Sequence, residues 1–406
     1  MKLLKISSRA AETTFSEAVY ELANGSRRTV FFATDASVDV PKTADHFFVL
    51  GVLAAYLRSE PYEHSEPIDS RLYHNMRELM QRWQDWRKKK LVEIRVPAFR
   101  DAAANTELKN GGCLFTGGID SLFTVHEHAD DIATLINVVH RKKAPDLPGL
   151  IEPNSSLHAF AETQGKPLVT IETNMMFAFP EITDAWASMA HGTAYAAVGY
   201  FLGQSIDRLL ISSSFTYDQL RPWGSHPETD RLLSSSRLSV DHIGAETNRF
   251  EKLRVLSSNP EFMHHLSICE HGPQSGERLN CSQCQKCLRT MIGLDLLGLS
   301  PEQAPTFDWS DYRPEKLTTF LLAGHVNCSE MLQEARRVKR TDIERVLTNT
   351  ITYAKKYHWI VTIEYFLRRR LATAGRHRAF FVRVRHFIYR LLNIKTRSRD
   401  GWSDVP

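Results

Sequence analysis

Three groups of residues have the types and the spacing that chemistry requires. The first lies in residues 112–121, where an apolar run leads directly into two glycines, an aspartate and a serine. This order predicts a buried strand, a tight turn and the start of a helix. Glycine lets a ligand approach the backbone, and the free N–H groups of a helix start attract phosphate. Glycine is also common in ordinary strand–helix turns, so both interpretations stay open at this point.

A phosphate-binding turn would give a role to each polar group in this segment. The Ser121 hydroxyl can donate a hydrogen bond to a phosphate, and the Asp120 carboxylate can hold a Mg²⁺ ion that bridges phosphates. Backbone groups near Val138, in the next strand of the predicted sheet, are the candidates for contacting adenine. The predicted nucleotide-binding residues are Thr116, Gly117, Gly118, Ile119, Asp120, Ser121 and Val138.

The second group is a run of four cysteines near residue 280. Eleven residues separate the first two, and two short gaps of two residues follow: Cys269, Cys281, Cys284 and Cys287. Thiolates at these spacings can turn back on one ion, and four of them form a closed tetrahedral zinc site of the structural kind. An iron–sulfur cluster and a set of buried free thiols are the alternatives.

The third group lies in residues 215–250, a polar segment that contains a tryptophan and two prolines. Long polar connections within enzyme domains are usually functional or disordered, and the prolines and the tryptophan argue against disorder. We expect a substrate-facing loop in which Trp223 offers a flat surface, Arg249 clamps an anionic group and His226 moves a proton. A His226 that only ties the loop to itself is the alternative. The predicted substrate residues are Trp223, Ser225, His226, Asp230 and Arg249.

The glycine turn resembles the S-G-G-x-D-S loop of the PP-loop ATP pyrophosphatases, with Thr116 in place of the usual serine. With the cysteine run, the sequence further resembles the 7-cyano-7-deazaguanine synthases, or QueC-type ligases, across about residues 110–300. This resemblance implies an adenine nucleotide α-hydrolase-like fold and a requirement for ATP, Mg²⁺ and Zn²⁺. It also places Lys252 where the related enzymes have a helix lysine that reaches the phosphates. A solvated Glu–Lys helix face is the alternative for Lys252.

The function implied by this resemblance is an ATP-dependent ligase or amidating enzyme. A substrate carboxylate or carbonyl oxygen would attack the α-phosphorus of ATP, pyrophosphate would leave, and a nucleophile such as ammonia would finish the reaction. The catalytic candidates are Asp120, Lys252 and His226, and the partner is a small molecule that bears a carboxylate. Two alternatives stay open: a tRNA-modifying PP-loop enzyme, and a non-catalytic nucleotide-binding or interaction protein.

The chain has 406 residues, enough for two or three domains. Residues 1–105 predict a small N-terminal α+β domain, and residues 106–300 alternate strands and helices as a doubly wound parallel α/β sheet does. Residues 301–406 predict a helical, basic C-terminal region. The longest apolar run, residues 47–57, is too short to span a bilayer, and no signal-peptide pattern is present at the start. We therefore expect a cytoplasmic protein without a transmembrane segment.

Positive charge is concentrated near the C-terminus. Residues 355–399 contain thirteen lysines and arginines and one glutamate, whereas the whole chain carries a net charge of only +4. The rest of the chain is therefore mildly acidic. Such a basic amphipathic segment can bind nucleic acid, acidic lipid or a protein partner, or can simply pack on its own domain.

Overall fold

A computed structural model describes residues 1–10, 13–34, 38–39, 41–100, 110–142, 155–203, 205–269, 278–319, 326–356 and 359. The chain divides into two compact units, one of Met1–Thr116 with Asp120–Thr247 and one of Gly117–Ile119 with Asn248–Pro406. This division is coarser than the predicted three-domain arrangement, which stays a prediction. The basic segment that follows residue 356 lies almost entirely outside the described residues.

All strands in the described part of the chain belong to the first unit. They are β1 (Lys2–Ala10), β2 (Thr14–Glu21), β3 (Arg27–Thr34), β4 (Tyr62–Glu63), β5 (Ile68–Asp69), β6 (Ile94–Arg95), β7 (Phe99–Arg100), β8 (Gly111–Leu114), β9 (Ile132–His140), β10 (Leu168–Thr173), β11 (Arg208–Ser212) and β12 (Ser239–Ile243). Ten of them form one sheet in the order β12-β11-β8-β9-β10-β3-β2-β1-β4-β6, while β5 pairs with β7. The predicted α/β class with a large, mostly parallel sheet is confirmed.

Five neighbouring strands, β8 to β12, pair in parallel. Counted from β8, their order across the sheet is 3-2-1-4-5, so the chain moves outward in one direction through β9 and β10 and then in the other through β11 and β12. The direction reverses at β8, which pairs with β9 on one side and β11 on the other. In open parallel sheets, ligands bind outside the carboxyl ends of the strands at such a reversal.

The N-terminal strands continue the same sheet. β1, β2 and β3 form an antiparallel meander, and β3 pairs antiparallel with β10 through Ala33–Glu172 and Phe32–Thr173. Asn174 extends this junction beyond the ladder, because its side chain accepts a hydrogen bond from Phe31 N at 2.9 Å and donates one to Thr29 O at 2.8 Å. The segment predicted as a separate small α+β domain is therefore hydrogen-bonded to the parallel strands.

Helices flank these strands and make up the second unit. In the first part of the chain they are α1 (Asp45–Arg58), α2 (Ser70–Arg87), α3 (Ile119–Glu127), α4 (Ser155–Thr163), α5 (Pro180–Ala185), α6 (His191–Phe201) and α7 (Pro227–Asp230). A π-helical turn, Trp186–Ala190, joins α5 to α6. The second unit contains α8 (Arg249–Ser257), α9 (Pro260–His264), α10 (Gln285–Leu296), α11 (Val326–Arg337) and α12 (Thr341–Lys356).

The core of the first unit encloses α1, in which twelve successive residues are buried. His46 on this helix is 1% exposed and its ring contacts Phe32, Phe47 and Phe201. Its Nε2 lies 3.2 Å from Ser16 Oγ, whereas its Nδ1 has no hydrogen-bond partner among the residues that the structure describes. Burial, with a smaller effect of His64, lowers the pKa of His46 to about 3. His46 is therefore neutral in the folded protein at neutral pH.

We predict that His46 makes the protein less stable in acid. The unfolded chain takes up a proton at this histidine below about pH 6.5, whereas the folded chain does not until about pH 3. Stability is therefore lost as the pH falls through this window, by up to about 1.4 kcal/mol per pH unit for this one group. In urea unfolding between pH 7 and pH 4.5, the slope of the unfolding free energy against pH counts the protons taken up on unfolding. His46→Phe should lower this count by about one, whereas His126→Gln, at an exposed site, should leave it unchanged. Equal slopes for wild type and His46→Phe would contradict this prediction.

Candidate functional site

The predicted glycine turn connects β8 to α3. Gly117 has a φ of +70°, a left-handed conformation that residues with a Cβ rarely adopt, and its carbonyl accepts a hydrogen bond from Ser267 N at 2.8 Å. The Thr116 amide nitrogen and hydroxyl lie 3.4 and 3.5 Å from Ser121 Oγ. The turn therefore folds back over the Ser121 hydroxyl, which is buried, while Thr116 is exposed.

The turn lies at the carboxyl end of β8, where the strand order reverses. Thr124 on α3 hydrogen-bonds with Ser212, the last residue of β11, at 2.8 Å between the two hydroxyl oxygens. Phe115 N donates to Ile136 O of β9 at 2.7 Å, one residue past the end of β8. Strand backbone alternates direction, so Val138 directs its N–H and C=O to the same side as Ile136. These groups lie beyond β8, as contact with a nucleotide base would require.

The other predicted nucleotide and phosphate residues are divided between the two units. Asp120 is half-buried in the first turn of α3, beside the half-buried Gly118 and the buried Ile119. Lys252 lies on α8 in the second unit and is only 2% exposed, which excludes a solvated Glu–Lys face for its side chain. Arg249 is the first residue of the same helix, which Asn248 caps by accepting from Glu251 N at 2.9 Å.

Asp230 organises the polar segment of the first unit. This carboxylate is fully buried and accepts hydrogen bonds from Ser225 Oγ at 2.5 Å, His242 Nδ1 at 2.8 Å and His226 N at 3.2 Å. The Thr229 hydroxyl approaches it at 3.5 Å. Because donors surround this buried carboxylate, it stabilises the folded segment, and Ser225 and Asp230 hold the neighbouring side chains in position.

His226 caps the short helix α7. Its Nδ1 accepts a hydrogen bond from Glu228 N at 3.1 Å, which requires that nitrogen to be unprotonated and leaves the proton of the neutral ring on Nε2. Burial lowers the pKa of His226, with a smaller opposing effect of Glu228. The ring packs edge-on against Trp86 at 5.1 Å between centroids. The Nδ1 of His226 thus holds the loop while its Nε2 keeps an N–H, and the proton-moving role expected of this residue stays a prediction.

Two further histidines lie beside this network: His191, a secondary candidate from the sequence because it opens a helix, and His242, which sequence reasoning missed. His242, on β12, is 5% exposed, and its Nε2 is buried with no partner among the described residues. His191, the first residue of α6, donates from Nδ1 to Trp186 O at 2.9 Å. A Cβ on Gly224 would lie 2.2 Å from that same nitrogen, so only glycine fits there. No signal in the sequence pointed to His242, because residues 215–250 were predicted as a polar loop, whereas the structure places His242 on a strand.

Trp223 lies between the histidine network and the end of β11. Its ring centroid lies 6.2 Å from that of His191 and 5.3 Å from that of Phe215, with near-perpendicular planes in both pairs. The ring is half-buried, so part of its surface stays accessible. The flat surface predicted for this residue is thus present and held from two sides.

The four cysteines of the second unit come together in one cluster. All four Sγ atoms lie within 4.8 Å of one another, with Cys284–Cys287 at 3.4 Å and Cys281–Cys287 at 3.7 Å. Four sulfurs about 2.3 Å from one zinc ion would stand about 3.8 Å apart. The cluster can therefore hold a single metal ion such as zinc. A four-iron cluster needs its thiolates farther apart, because each one binds a different iron.

Local backbone structure builds this metal-binding geometry. Cys284 caps α10, and its sulfur accepts from Cys287 N at 3.5 Å, while Cys281 Sγ accepts from Cys284 N at 3.3 Å. Ser282 adopts a left-handed conformation with a φ of +58°, which turns the chain between Cys281 and Cys284. Backbone N–H groups directed at sulfur favour the thiolate, the form that binds metal.

Asn280 fixes the position of this turn in the unit. Its side chain is 2% exposed, accepts from Ile268 N at 2.9 Å and donates to Leu266 O at 2.8 Å, so it joins the segment of Cys269 to that of Cys281. The Ser282 hydroxyl accepts from Asp308 N at 2.7 Å. These contacts bring together two parts of the cluster that are eleven residues apart in the chain.

Contacts among the sulfurs also shift the pKa values of the thiols, downward for some of them and upward for others. The contact with Cys281 raises the pKa of Cys269, but those with Cys284 and Cys287 outweigh it and bring this pKa to about 6. Hydrogen bonds from Cys269, Cys284 and Cys287 lower the pKa of Cys281 far below its ordinary value. Contacts with Cys269 and Cys281 raise the pKa of Cys284 and that of Cys287 above their ordinary values.

Comparisons with protein-family models, with curated proteins and with solved structures gave no match to this chain. Among the described residues, no helix combines the length and the apolar character needed to cross a membrane.

We predict that Asp230→Ala lowers the free energy of unfolding by roughly 3 kcal/mol, because it leaves the His226 amide and the His242 ring without a buried acceptor. Exposed Asp218→Ala, in the same polar segment, should change stability by less than about 0.5 kcal/mol. Urea unfolding of both variants measures this difference. If Asp230→Ala were as stable as Asp218→Ala, the carboxylate would not be the organising group.

We predict that the purified protein carries about one metal ion per chain, zinc in the first instance, and that Cys284→Ser loses it together with thermal stability. Cys328 is a buried thiol outside the cluster, so Cys328→Ala should lower stability but retain the metal. Elemental analysis and thermal melting of both variants separate metal binding from packing. Iron with acid-labile sulfide in the wild-type protein would contradict the single-ion site.

Proposed function

We propose that this protein is an ATP-dependent ligase of the PP-loop ATP pyrophosphatase class, resembling the QueC-type enzymes, that activates a substrate carboxylate or carbonyl by adenylation. One observation carries the proposal: the glycine turn of residues 116–121 lies at the carboxyl end of β8, where the strand order reverses. The 3-2-1-4-5 order supports a nucleotide-binding sheet of the adenine nucleotide α-hydrolase type.

The residues of the turn fit a nucleotide triphosphate. The positive φ of Gly117 suits a turn whose backbone N–H groups would surround a phosphate, and the start of α3 would add the positive end of a helix dipole. Ser121 would donate its hydroxyl to a phosphate oxygen, and Asp120 would hold Mg²⁺. The backbone of Val138 lies beyond β8 for contact with adenine. When bound, ATP supplies the electrophilic α-phosphorus and the pyrophosphate leaving group.

Catalysis in this proposal is mainly positioning and neutralisation of charge. The substrate oxygen attacks the α-phosphorus in line with the leaving pyrophosphate, and a nitrogen nucleophile such as ammonia then displaces AMP. Backbone N–H groups of Gly117 and Gly118 and the ammonium of Lys252 would stabilise the negative charge that develops. Lys252 is suited to this role because a buried ammonium interacts with charge more strongly than a solvated one.

The histidine network would serve the substrate side. Asp230 holds His242 by accepting a hydrogen bond from its Nδ1, which leaves the lone pair of the neutral ring on the buried Nε2. His226 keeps an N–H on its far nitrogen. We assign these two side chains to proton handling during attack of the nitrogen nucleophile, with Asp230 and Ser225 as positioning residues. The zinc ion on the four cysteines would be structural, since four protein ligands leave no open position.

The cysteines favour a ligase over a sulfur-transferring tRNA enzyme, which needs a reactive thiol. Only two cysteines lie outside the metal cluster, and both are fully buried. Burial raises the pKa of Cys113 to about 12 and that of Cys328 to about 11, so neither forms a thiolate at neutral pH. A thiol with so high a pKa is a poor nucleophile.

We predict that the protein binds Mg²⁺-ATP and, with its substrate, forms AMP and pyrophosphate. Asp120→Asn should weaken Mg²⁺-ATP binding at least about tenfold, or ~1.4 kcal/mol, because the metal loses an anionic ligand. Asp130→Asn, an exposed aspartate just after α3, should bind like wild type. Calorimetry measures binding, and a pyrophosphate-release screen against carboxylate-bearing metabolites identifies the substrate. ADP and phosphate as products would overturn the proposal, and binding without any product in the screen would favour a nucleotide-binding protein.

A further inference from the structure

Arg221 is held on two aromatic rings at the carboxyl end of β11. Its guanidinium carbon lies 4.3 Å from the ring centroid of Phe215 and 5.2 Å from that of Trp223. Aromatic faces attract a guanidinium through their negative quadrupole and restrict its side-chain rotamers. This cation is therefore oriented before any ligand arrives, in contrast to an arginine that extends into water.

The two rings are themselves fixed to the sheet. Phe215 follows β11 by three residues, and its amide nitrogen and carbonyl both bond the Ser213 hydroxyl, at 3.2 and 2.5 Å. Ser213 N donates to Ile243 O at the end of β12, at 2.7 Å. Trp223 lies against His191 at the start of α6. The platform under Arg221 is thus anchored to the edge of the sheet next to the glycine turn.

No carboxylate neutralises Arg221 in the part of the chain that the structure describes, and no hydrogen-bond acceptor there takes any of its N–H groups. Its contacts with the two rings consume no hydrogen bond, so the five N–H donors of the guanidinium remain for a ligand. The side chain is exposed, so a ligand can reach these edges. An oriented cation with all its donors available is built to receive an oxyanion.

We propose that Arg221 binds the carboxylate of the substrate through a two-pronged hydrogen bond, with Phe215 and Trp223 as its support. This inference rests on the proposed function for the identity of the carboxylate as substrate. It gives Arg221, in the first unit, the anion-binding role that the sequence suggested for Arg249, which lies in the second unit. The planar fork of a guanidinium matches the two oxygens of a carboxylate. A phosphate of ATP shares this chemistry and is the competing source.

Protection from chemical modification tests the proposal on the full-length protein without turnover. Phenylglyoxal modifies accessible arginines, and peptide mass spectrometry follows the rate at Arg221 in the presence of acetate, malonate, benzoate, inorganic pyrophosphate or Mg²⁺-ATP. We expect carboxylates to slow modification of Arg221, whereas neutral benzamide, pyrophosphate and Mg²⁺-ATP do not. Arg231, which is exposed and pairs with Glu78 at 3.8 Å, is the internal control whose rate should not change.

The other outcomes each overturn the assignment. Protection by pyrophosphate or Mg²⁺-ATP as strong as that by carboxylates would make Arg221 a phosphate contact. Equal rates with and without every anion would show that the cation only stabilises the loop. The modification assay does not use the ligase reaction. If no screen yields pyrophosphate but carboxylates still protect Arg221, the proposed function is refuted and the carboxylate site remains.

The Arg221→Gln variant measures how much Arg221 contributes to the affinity for a carboxylate. In protein labelled with 5-fluorotryptophan, the fluorine signal of Trp223, assigned with Trp223→Phe, should shift with benzoate concentration. Arg221→Gln should weaken this binding roughly 10- to 100-fold, the range for loss of hydrogen bonds to a charged group. Arg221→Lys should restore only part of it, because an ammonium lacks the fork, and Arg231→Gln should bind like wild type. Unchanged benzoate binding by Arg221→Gln, with the Trp223 signal intact, would refute the proposal.

Discussion

The carboxyl edge of the parallel sheet depends on the position of β8 between β9 and β11. β8 has only four residues, yet it hydrogen-bonds on both sides, so the chain that leaves it must turn at once into α3. Gly117 makes this turn possible because it adopts a left-handed conformation. The same pairing brings the ends of β9, β11 and β12 beside the turn, which is why residues far apart in sequence share one edge.

A second level of order on that edge comes from one buried charge. Asp230 gathers the Ser225 hydroxyl, the His226 amide and the His242 ring, groups that come from a loop, a helix start and a strand. A buried carboxylate is costly unless donors surround it, so its presence selects one arrangement of these elements. The functional consequence is that two histidines are held with defined hydrogen positions, whereas Arg221 and Trp223, farther along the loop, keep accessible surface.

The cysteine cluster shows a different kind of construction, in which local turns carry most of the geometry. The left-handed Ser282, the cap at Cys284 and the two N–H···S contacts are all made within seven residues. Only Cys269 comes from elsewhere, and Asn280 brings it in through hydrogen bonds to Leu266 and Ile268. The spacing of the last three cysteines therefore predicted their cluster reliably, because the backbone conformation of a few consecutive residues sets its geometry.

The sequence by itself determined the local features: the strand–turn–helix at residues 112–121, the four-cysteine cluster and the α/β class with a largely parallel sheet. Each follows from residue types within a short window. Tertiary structure alone decided that the N-terminal strands join the same sheet. The backbone groups that pair β3 with β10 are the same for nearly all residue types, so the sequence does not identify the partner strand. It also decided that Asp230 and Ser225 are buried, that His191 and His242 stand beside them, and that Arg221 rests on Phe215 and Trp223. The type of a polar residue in a loop does not reveal whether its side chain faces water, a ligand or another side chain. Only long-range packing determines which of these environments it has.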